Sequence, residues 1–223
     1  MSLPAESYRR HVFATAAAER QFGFFRQLNH PHFGLCARVD VTRLRASAKT
    51  SGLGLHLACV HALTAAANAV PSLRRRVRRM DGEEVVVEHA AVHPSFTVPG
   101  TDTGAFGFCE VGYVPDAPAF AEAARNALAR VAADPRLEDQ PDRDDYLFLS
   151  AIPWVDFTGI QHAMQYHPHD CVPRISWGKV VPRLGGGEEM SVSIQAHHAL
   201  VDGRGVGDFF AALEAYIGSC QKE

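Results

Sequence analysis

A strand pattern, a pair of histidines and a tight turn follow one another near the C-terminus, in the run Ser191-Val192-Ser193-Ile194-Gln195-Ala196-His197-His198-Ala199-Leu200-Val201-Asp202-Gly203. We read residues 191–197 as a strand that ends in a loop. Asp202-Gly203 is a preferred sequence of tight turns. His198 therefore lies at a strand edge, where a cleft can form. The same spacing also fits a buried structural histidine followed by an ordinary turn.

The rest of the chain supplies a partner strand and helices that can pack on it. Residues 172–181 form a second strand candidate, which the glycine-rich turn 183–187 joins to the first. Residues 55–70 are apolar on nearly every side, as is typical of a helix buried within a domain. Asp81-Gly82 lies between two short strand patterns and predicts a hairpin. We therefore predict one α+β domain over residues 1–223, in which helices pack on a mixed or antiparallel sheet in two layers.

The composition excludes two classes of partner. Hydrophobic residues make up 47 % of the 223 residues, and the net charge is −3 with acidic and basic side chains interspersed. Nucleic acids and anionic membranes bind concentrated positive charge, so neither is expected as a main partner. The basic run Arg74–Arg79 is interpreted as the solvated face of a strand or turn, and the alternative is that it binds phosphate groups of a ligand.

The start of the chain and its cysteines bear on its location. Residues 1–3 lead directly into polar sequence, and no run of about 18 apolar residues occurs. The five cysteines form an odd count without metal-ligand spacing, as expected of reduced and mostly buried thiols. We therefore expect a soluble, cytoplasmic protein.

Histidines occur in pairs in two proline-containing loops, His30/His32 and His167/His169. Zinc-binding motifs commonly place two ligands at i and i+4 on one face of a helix, and neither pair has that setting. We therefore predict no metal site.

Five segments of the chain resemble blocks of the chloramphenicol acetyltransferase family. They are a first strand with its helix start, a Pro-Ser-Phe-Thr-Val strand, a Ser-Ala-Ile-Pro-Trp block, the segment before the last hairpin, and the histidine segment, at residues 33–42, 94–98, 150–157, 173–179 and 192–207. The matches follow the family's order and extend from about Phe22 to Ala211. The resemblance implies an enzyme that moves an acetyl group from acetyl-CoA to a hydroxyl group of a small molecule, with no metal.

The resemblance also implies the catalytic roles. The family's catalytic histidine falls on His198, the general base that takes the proton of the acceptor hydroxyl. In the family, its ring is held in one tautomer by a bond to its own backbone carbonyl. Ser150 matches the hydroxyl that stabilises the oxyanion, and Ser176 matches a threonine that orients a water molecule. Asp202 matches the aspartate that supports the loop, while His197 lies on the opposite strand face and is interpreted as structural.

One catalytic position departs from the family pattern. The family's aspartate pairs with an N-terminal arginine, and an ungapped alignment on Phe22 places Ala18 at that position. Arg20 lies two residues later and four residues before Phe24, so a local shift restores the pair. We therefore expect Arg20 to pair with Asp202.

The resemblance implies an altered acceptor pocket. Phe24, Phe25, Phe106 and His162 match pocket positions. Phe25 replaces a tyrosine of the family, and His162 replaces an apolar residue. Chloramphenicol is therefore a candidate acceptor, along with related hydroxyl compounds, and the sequence does not choose among them.

The family assembles as a homotrimer with three active sites between subunits. In each site one subunit donates the histidine, and the facing subunit supplies the serine and much of the acceptor pocket. The resemblance therefore implies a homotrimer here.

Two alternative functions remain open from the sequence. The catalytic domain of dihydrolipoamide acyltransferases shares the His-x-x-x-Asp-Gly core, although the chain carries no lipoyl domain or flexible Ala-Pro linker. A protein that sequesters an antibiotic or metabolite without turnover is the second alternative, and the altered arginine position is the feature that favours it.

Overall fold

The computed structural model describes residues 3–100, 106–138, 143–165 and 170–220. Along these ranges the chain forms, in order, β1 Tyr8–Arg10, α1 Ala16–Arg26, β2 His32–Asp40, α2 Thr42–Thr50, α3 Leu55–Ala69, a 3-10 turn Pro71–Arg74, β3 Arg75–Met80, β4 Glu83–His89, β5 His93–Pro99, β6 Phe106–Glu110, α4 Ala117–Ala133, β7 Tyr146–Ala151, β8 Arg174–Trp177, β9 Val181–Pro182, β10 Glu188–His197 and α5 Gly203–Ser219.

Two sheets organise the described residues. The main sheet has the order β2-β10-β8-β7-β5-β6, with β9 paired to β10, and the small sheet has the order β1-β4-β3. In the main sheet β7 runs parallel to β5 and β8, whereas the other pairs are antiparallel. The predicted α+β fold with a mixed sheet is therefore confirmed.

The two faces of the main sheet differ in chemistry. Leu149, Ile175 and Ile194 lie side by side across β7, β8 and β10 and belong to the hydrophobic core, together with residues of α3, α4 and α5. Successive residues of a strand point to opposite faces. The next row, Ser150, Ser176 and Ser193, therefore lies on the opposite, more polar face. We call these the core face and the polar face.

Local sequence signals locate several elements correctly. Leu55–Ala69 is a helix buried on most sides, as the apolar run predicts. Asp81 and Gly82 have φ values of 52° and 82° and connect β3 to β4. Two consecutive positive φ values suit a two-residue hairpin turn, which explains the Asp-Gly pair. Among the described helices, none is both long and apolar enough to cross a membrane.

The predicted strand 172–181 is wrong in its middle. It forms β8 and the short β9, with residues 178–180 between them. A Cβ atom at Gly178 would lie 2.9 Å from the carbonyl oxygen of Val155, and the Lys179 N–H donates to that oxygen at 2.9 Å. The segment after β7 therefore takes over the hydrogen bond that a continuous strand would use.

The basic run is not entirely a solvated face. Arg76 is fully buried. Its guanidinium donates to the carbonyl oxygens of Leu73 at 3.0 Å, Arg75 at 2.6 Å, Asp144 at 2.7 Å and Tyr146 at 2.6 Å. The interpretation as solvated therefore fails at this position, because distant backbone carbonyls satisfy the buried donors.

Burial of histidines makes the fold sensitive to acid. Burial lowers the pKa of at least six described histidines from 6.5, namely His11, His32, His56, His61, His93 and His162. Below pH 6.5 the unfolded chain therefore binds protons that the folded chain does not. The contribution of these histidines to the free energy of unfolding is fully present above pH 6.5 and decreases as the pH falls.

We expect the free energy of unfolding to decrease between about pH 7.5 and about pH 5.5, before the carboxylates titrate. Urea denaturation at the two pH values, at constant ionic strength, measures the change. Equal free energies of unfolding at both values would contradict the prediction.

Candidate active site

His198 follows the last residue of β10, and both its backbone and its ring are held. Its N–H donates to the carbonyl of Pro31 at 2.7 Å. The imidazole stacks on Phe25, with ring centres 3.8 Å apart and an angle of 13° between the planes. Phe33 contacts the ring at 4.4 Å between centres. Two aromatic neighbours thus fix the orientation of the ring.

The two ring nitrogens of His198 are not equivalent. Nδ1 is buried, and no other described residue supplies it with a hydrogen-bond partner. A general base must reach the proton that it removes. Of the two ring nitrogens, Nε2 is therefore the candidate for exchanging a proton with a bound molecule. The bond from Nδ1 to its own backbone carbonyl stays a prediction.

His197 has a different environment. Its side chain is 2 % exposed, and its Nδ1 accepts a hydrogen bond from the Ala199 N–H at 3.2 Å. Its ring meets that of His32 edge-on at 5.3 Å. The carbonyl of His197 accepts from the N–H groups of Leu200 and Val201. These contacts fix the turn after the strand, as a structural histidine does.

Asp202 begins helix α5. Its Oδ1 accepts a hydrogen bond from the Gly205 N–H at 2.9 Å, the contact of an N-terminal cap. The carboxylate thus fixes the junction between the histidine loop and α5.

The expected pair between Arg20 and Asp202 is not formed in the described part of the chain. Ala18, Gln21, Phe22 and Phe25 share the face of α1 that lines a cavity with Asp202. Residues three and four apart lie on one helix face, so Arg20 points away from that cavity and is exposed. Ala18, which the ungapped alignment places at this position, lines the cavity with Asp202 instead. The shift to Arg20 was wrong.

A cavity of about 440 Å³ surrounds the catalytic histidine candidate. We call it the histidine cavity. It is lined by His198, Phe25, Ala18, Asp202 and Arg75, among others. Arg75 belongs to the basic run Arg74–Arg79, and nothing in the sequence indicated that this residue in particular faces the cavity.

A second cavity, of about 380 Å³, is lined by three of the other predicted site residues. We call it the serine cavity. Ser150, Phe106 and His162 line it. It also contains residues that the sequence reading missed, namely Ser95, Thr97, Phe108, Phe148 and Arg174. They alternate with core residues on strands β5 to β8, and this alternation was the signal that could have found them.

Ser176 lies beneath the serine cavity and does not line it. The side chain is fully buried, and its Oγ is 2.8 Å from His162 Nε2. On its other side, His162 contacts Gln195 Oε1 through the backbone N–H and through Nδ1, each at 3.1 Å. The structure therefore brings Ser176 and His162 into direct contact, which the sequence reading did not predict.

The structure does not bring His198 and Ser150 together within one chain. The two residues line different cavities. Phe33, which contacts His198, pairs with Ala196 on the core face, whereas Ser150 lies on the polar face. The sheet itself therefore separates the base from the predicted oxyanion donor.

Phe24 lies outside both cavities. Its side chain is 63 % exposed, and its ring meets Phe25 edge-on at 5.2 Å. Phe24 and Phe25 both lie on α1, and both were predicted to line the acceptor pocket. Only Phe25 contacts His198.

One described cluster has the composition of a metal site. Ligand atoms of Glu6, His89 and Asp144 lie within 4.8 Å of one another. Arg78 donates to Glu6 at 2.7 Å and to Asp144 at 2.8 Å. Although burial acts to raise it, hydrogen bonds from His89 and Arg78 hold the pKa of Asp144 well below its usual range. Arginine already supplies the positive charge, so this is an ion-pair network. His167 and His169 lie outside the described residues.

Two solved acetyltransferases have the same fold as this chain. A solved chloramphenicol acetyltransferase, 23 % identical, covers 95 % of this chain and 100 % of its own with a TM-score of 0.80. The dihydrolipoamide acetyltransferase of Azotobacter vinelandii, 16 % identical, covers 91 % and 87 % with a TM-score of 0.63. The two share the fold with this chain.

The sequence comparisons are more specific. The family profile described as chloramphenicol acetyltransferase matches residues 8–214. Chloramphenicol acetyltransferase 2 of Escherichia coli is 26 % identical over 194 residues, which are 86 % of this chain and 89 % of that protein. Chloramphenicol acetyltransferase 3 of Escherichia coli is 27 % identical over 199 residues, 89 % and 91 % of the two chains. The chain belongs to the chloramphenicol acetyltransferase family, and it is an acetyltransferase that catalyses acyl transfer.

Proposed function

We propose that the protein transfers the acetyl group of acetyl-CoA to a hydroxyl group of a small molecule, with His198 as the general base. The observation that carries the proposal is the environment of His198. Its ring is fixed between Phe25 and Phe33 beside a cavity, with Nδ1 buried. A free alcohol is a weak nucleophile at neutral pH, so a positioned base is the group that the reaction needs.

The reaction is then a direct transfer. His198 Nε2 takes the proton of the acceptor hydroxyl as the oxygen forms a bond to the thioester carbonyl carbon. The carbon–sulfur bond then breaks, and the proton passes from His198 to the leaving sulfur. The products are the acetyl ester and CoA. Holding acceptor and thioester in contact removes the entropic cost of their encounter.

Ser150 is proposed to donate its hydroxyl to the oxyanion that develops in this step. A preorganised donor is effective in a cavity from which water is excluded. Asp202 is proposed to act indirectly, because its capping bond to Gly205 fixes the loop that carries His198.

The acceptor is proposed to occupy the serine cavity, with Phe25 of the facing subunit nearby. Phe106, Phe108, Phe148 and His162 give this cavity largely aromatic walls. Such walls suit an aromatic alcohol. Chloramphenicol and related hydroxyl compounds are therefore the first acceptors to test.

The active form is proposed to be a homotrimer with sites shared between subunits. The separation of His198 and Ser150 by the sheet supports it, because one subunit alone lacks a complete set of groups. Large exposed apolar side chains also support an interface, among them Phe24 at 63 %, Trp154 at 79 % and Phe106 at 48 %.

The protein is also proposed to act in the cytoplasm. All five cysteines are free thiols. Burial raises the pKa of Cys59 and of Cys109 to about 12, which makes these thiols unreactive. Free thiols are typical of a reducing compartment.

A coenzyme-release assay tests the proposed activity. Purified protein is incubated with acetyl-CoA and a panel of hydroxyl compounds, chloramphenicol included, and free CoA thiol is measured. We expect release that depends on an acceptor. Tight binding of an acceptor without any release of CoA would instead favour the sequestering alternative.

Shared sites predict complementation between two inactive variants. Ser150→Ala and His198→Ala each remove one group, and mixed trimers contain sites in which both groups are intact. Random mixing of equal amounts should restore about a quarter of the sites. We expect activity to reappear after the two variants are dissociated and reassembled together.

Each variant reassembled alone is the control for this experiment. An active mixture requires the two groups to come from different subunits. A mixture that remains inactive, when the same treatment preserves wild-type activity, would show that each chain supplies its own site.

A further inference from the structure

The hydrogen-bonding state of His162 follows from its neighbours. The backbone N–H of His162 donates to Gln195 at 3.1 Å. A backbone N–H is only a donor, so the accepting atom is the amide oxygen Oε1. Nδ1 of His162 is 3.1 Å from the same oxygen. Because that oxygen only accepts, Nδ1 must carry a proton.

The other ring nitrogen then has no proton. Burial lowers the pKa of His162, and Arg174 acts in the same direction, although the Gln195 contact opposes them. The neutral ring with a proton on Nδ1 has a lone pair on Nε2. Ser176 Oγ, 2.8 Å away, therefore donates its hydroxyl proton to Nε2.

Both nitrogens of His162 are thus occupied by the protein. The ring lines the serine cavity, while Ser176 is fully buried beneath it. The surface that His162 presents to a ligand is therefore made of ring carbons. His162 therefore forms an apolar part of the cavity wall, although histidine is a polar residue.

We propose that His162 is a positioning residue that determines acceptor specificity. In its neutral form it engages the Ser176 hydroxyl and gives the serine cavity an apolar wall. The apolar part of the acceptor packs against this wall. The inference rests on the proposed function, because it assigns the serine cavity to the acceptor.

Protonation of His162 reverses this arrangement. Nε2 would become a donor to Ser176 Oγ, and the wall would carry a positive charge. Arg174 on β8 is the other charged residue among the described residues that line the cavity, and it pairs with Asp170. On β7 and β10, the facing residues Phe148, Ser150 and Gln195 are uncharged. A cation in this wall therefore disfavours an apolar group beside it.

The protonation state of the two ring nitrogens of His162 can be measured without any assay of activity. Histidine is labelled with ¹⁵N, and long-range correlations from the ring carbon protons identify protonated and unprotonated nitrogens. His162→Gln removes one set of signals and so assigns it. At about pH 7.5 we expect a protonated Nδ1 and an unprotonated Nε2 for this residue. A proton on Nε2, or a cationic ring, would overturn the inference.

Kinetics test the consequence for the acceptor. Because burial lowers the pKa of His162 below 6.5, the acceptor KM of the wild type should be constant above that pH and rise at lower pH, by at most about tenfold for each pH unit. His162→Gln does not titrate and can still accept from Ser176, so its acceptor KM should stay constant. His30→Gln, which changes an exposed histidine, should retain the wild-type dependence. Equal KM profiles for wild type and His162→Gln would overturn the inference.

Ser176→Ala tests whether Ser176 acts on the acceptor through His162 or contacts the acceptor directly. In the wild-type background it should raise the acceptor KM, because His162 loses its partner. In a His162→Leu background the same change should have no further effect. A persistent effect would mean that Ser176 contacts the acceptor directly. If no acceptor is turned over, the proposed function fails, and the nitrogen spectra still decide the state of His162.

Discussion

Replacing His198 with alanine will lower kcat by a factor of about 10² to 10⁴, the usual contribution of a general base. The ring makes no hydrogen bond to another described residue through Nδ1, and its contacts to Phe25 and Phe33 are aromatic. The fold should therefore survive the change. Steady-state kinetics on protein of verified secondary structure and oligomeric state measures the loss.

His197→Ala is the matched comparison, one residue away on the other side of the strand. His197 accepts from the Ala199 N–H in a buried position, so its loss should lower stability more than turnover. The assignment is inverted if a well-folded His197→Ala protein is inactive while His198→Ala retains wild-type kcat.

Replacing Arg76 with methionine will produce the largest loss of stability among the changes considered. The guanidinium is fully buried and bonds to four backbone carbonyls. A hydrogen bond to a charged group contributes about 1.5–3 kcal/mol, and the carbonyls would lose their partner. We expect a loss of at least about 3 kcal/mol, which lowers Tm by roughly 6–12 °C for a chain of this size.

Arg79→Met provides the control. Arg79 lies on the same strand but is exposed. Its replacement should change stability by less than about 0.5 kcal/mol. Calorimetry on both variants measures the difference, and equal Tm values for the two would contradict the structural role of Arg76.

Structural elements that depend on a short stretch of sequence were predictable. The buried helix at residues 55–69 and the hairpin at Asp81-Gly82 each depend on neighbouring residues alone. Asp202-Gly203 does not form the predicted tight turn, because Asp202 caps α5 and Gly203 is its first residue. The family resemblance added the positions of His198 and Ser150. Neither the local sequence patterns nor the resemblance predicted on which side of the sheet His198 and Ser150 lie. The register of a strand is set by its pairing with strands that are distant in the sequence.

Two environments that the sequence did not indicate, those of Arg76 and His162, have a common cause. Arg76 was expected in solvent, yet carbonyls of Asp144 and Tyr146, far along the chain, surround it. His162 was expected simply to add a polar ring to the pocket, yet Gln195 and Ser176 use both of its nitrogens. In each case a polar group found its partners in a distant segment, and local sequence carries no signal for such pairing.

Arg76 also joins the small sheet to the main sheet, and among the described residues no strand of one sheet pairs with a strand of the other. It belongs to the small sheet, whereas Tyr146 is the first residue of β7 in the main sheet. Arg75, its neighbour, lines the histidine cavity. Opening of the small sheet would therefore break the buried contacts of the main sheet at the same time. The two sheets should exchange their slowest amide protons as a single cooperative unit, so that this wall of the histidine cavity is as long-lived as the core itself.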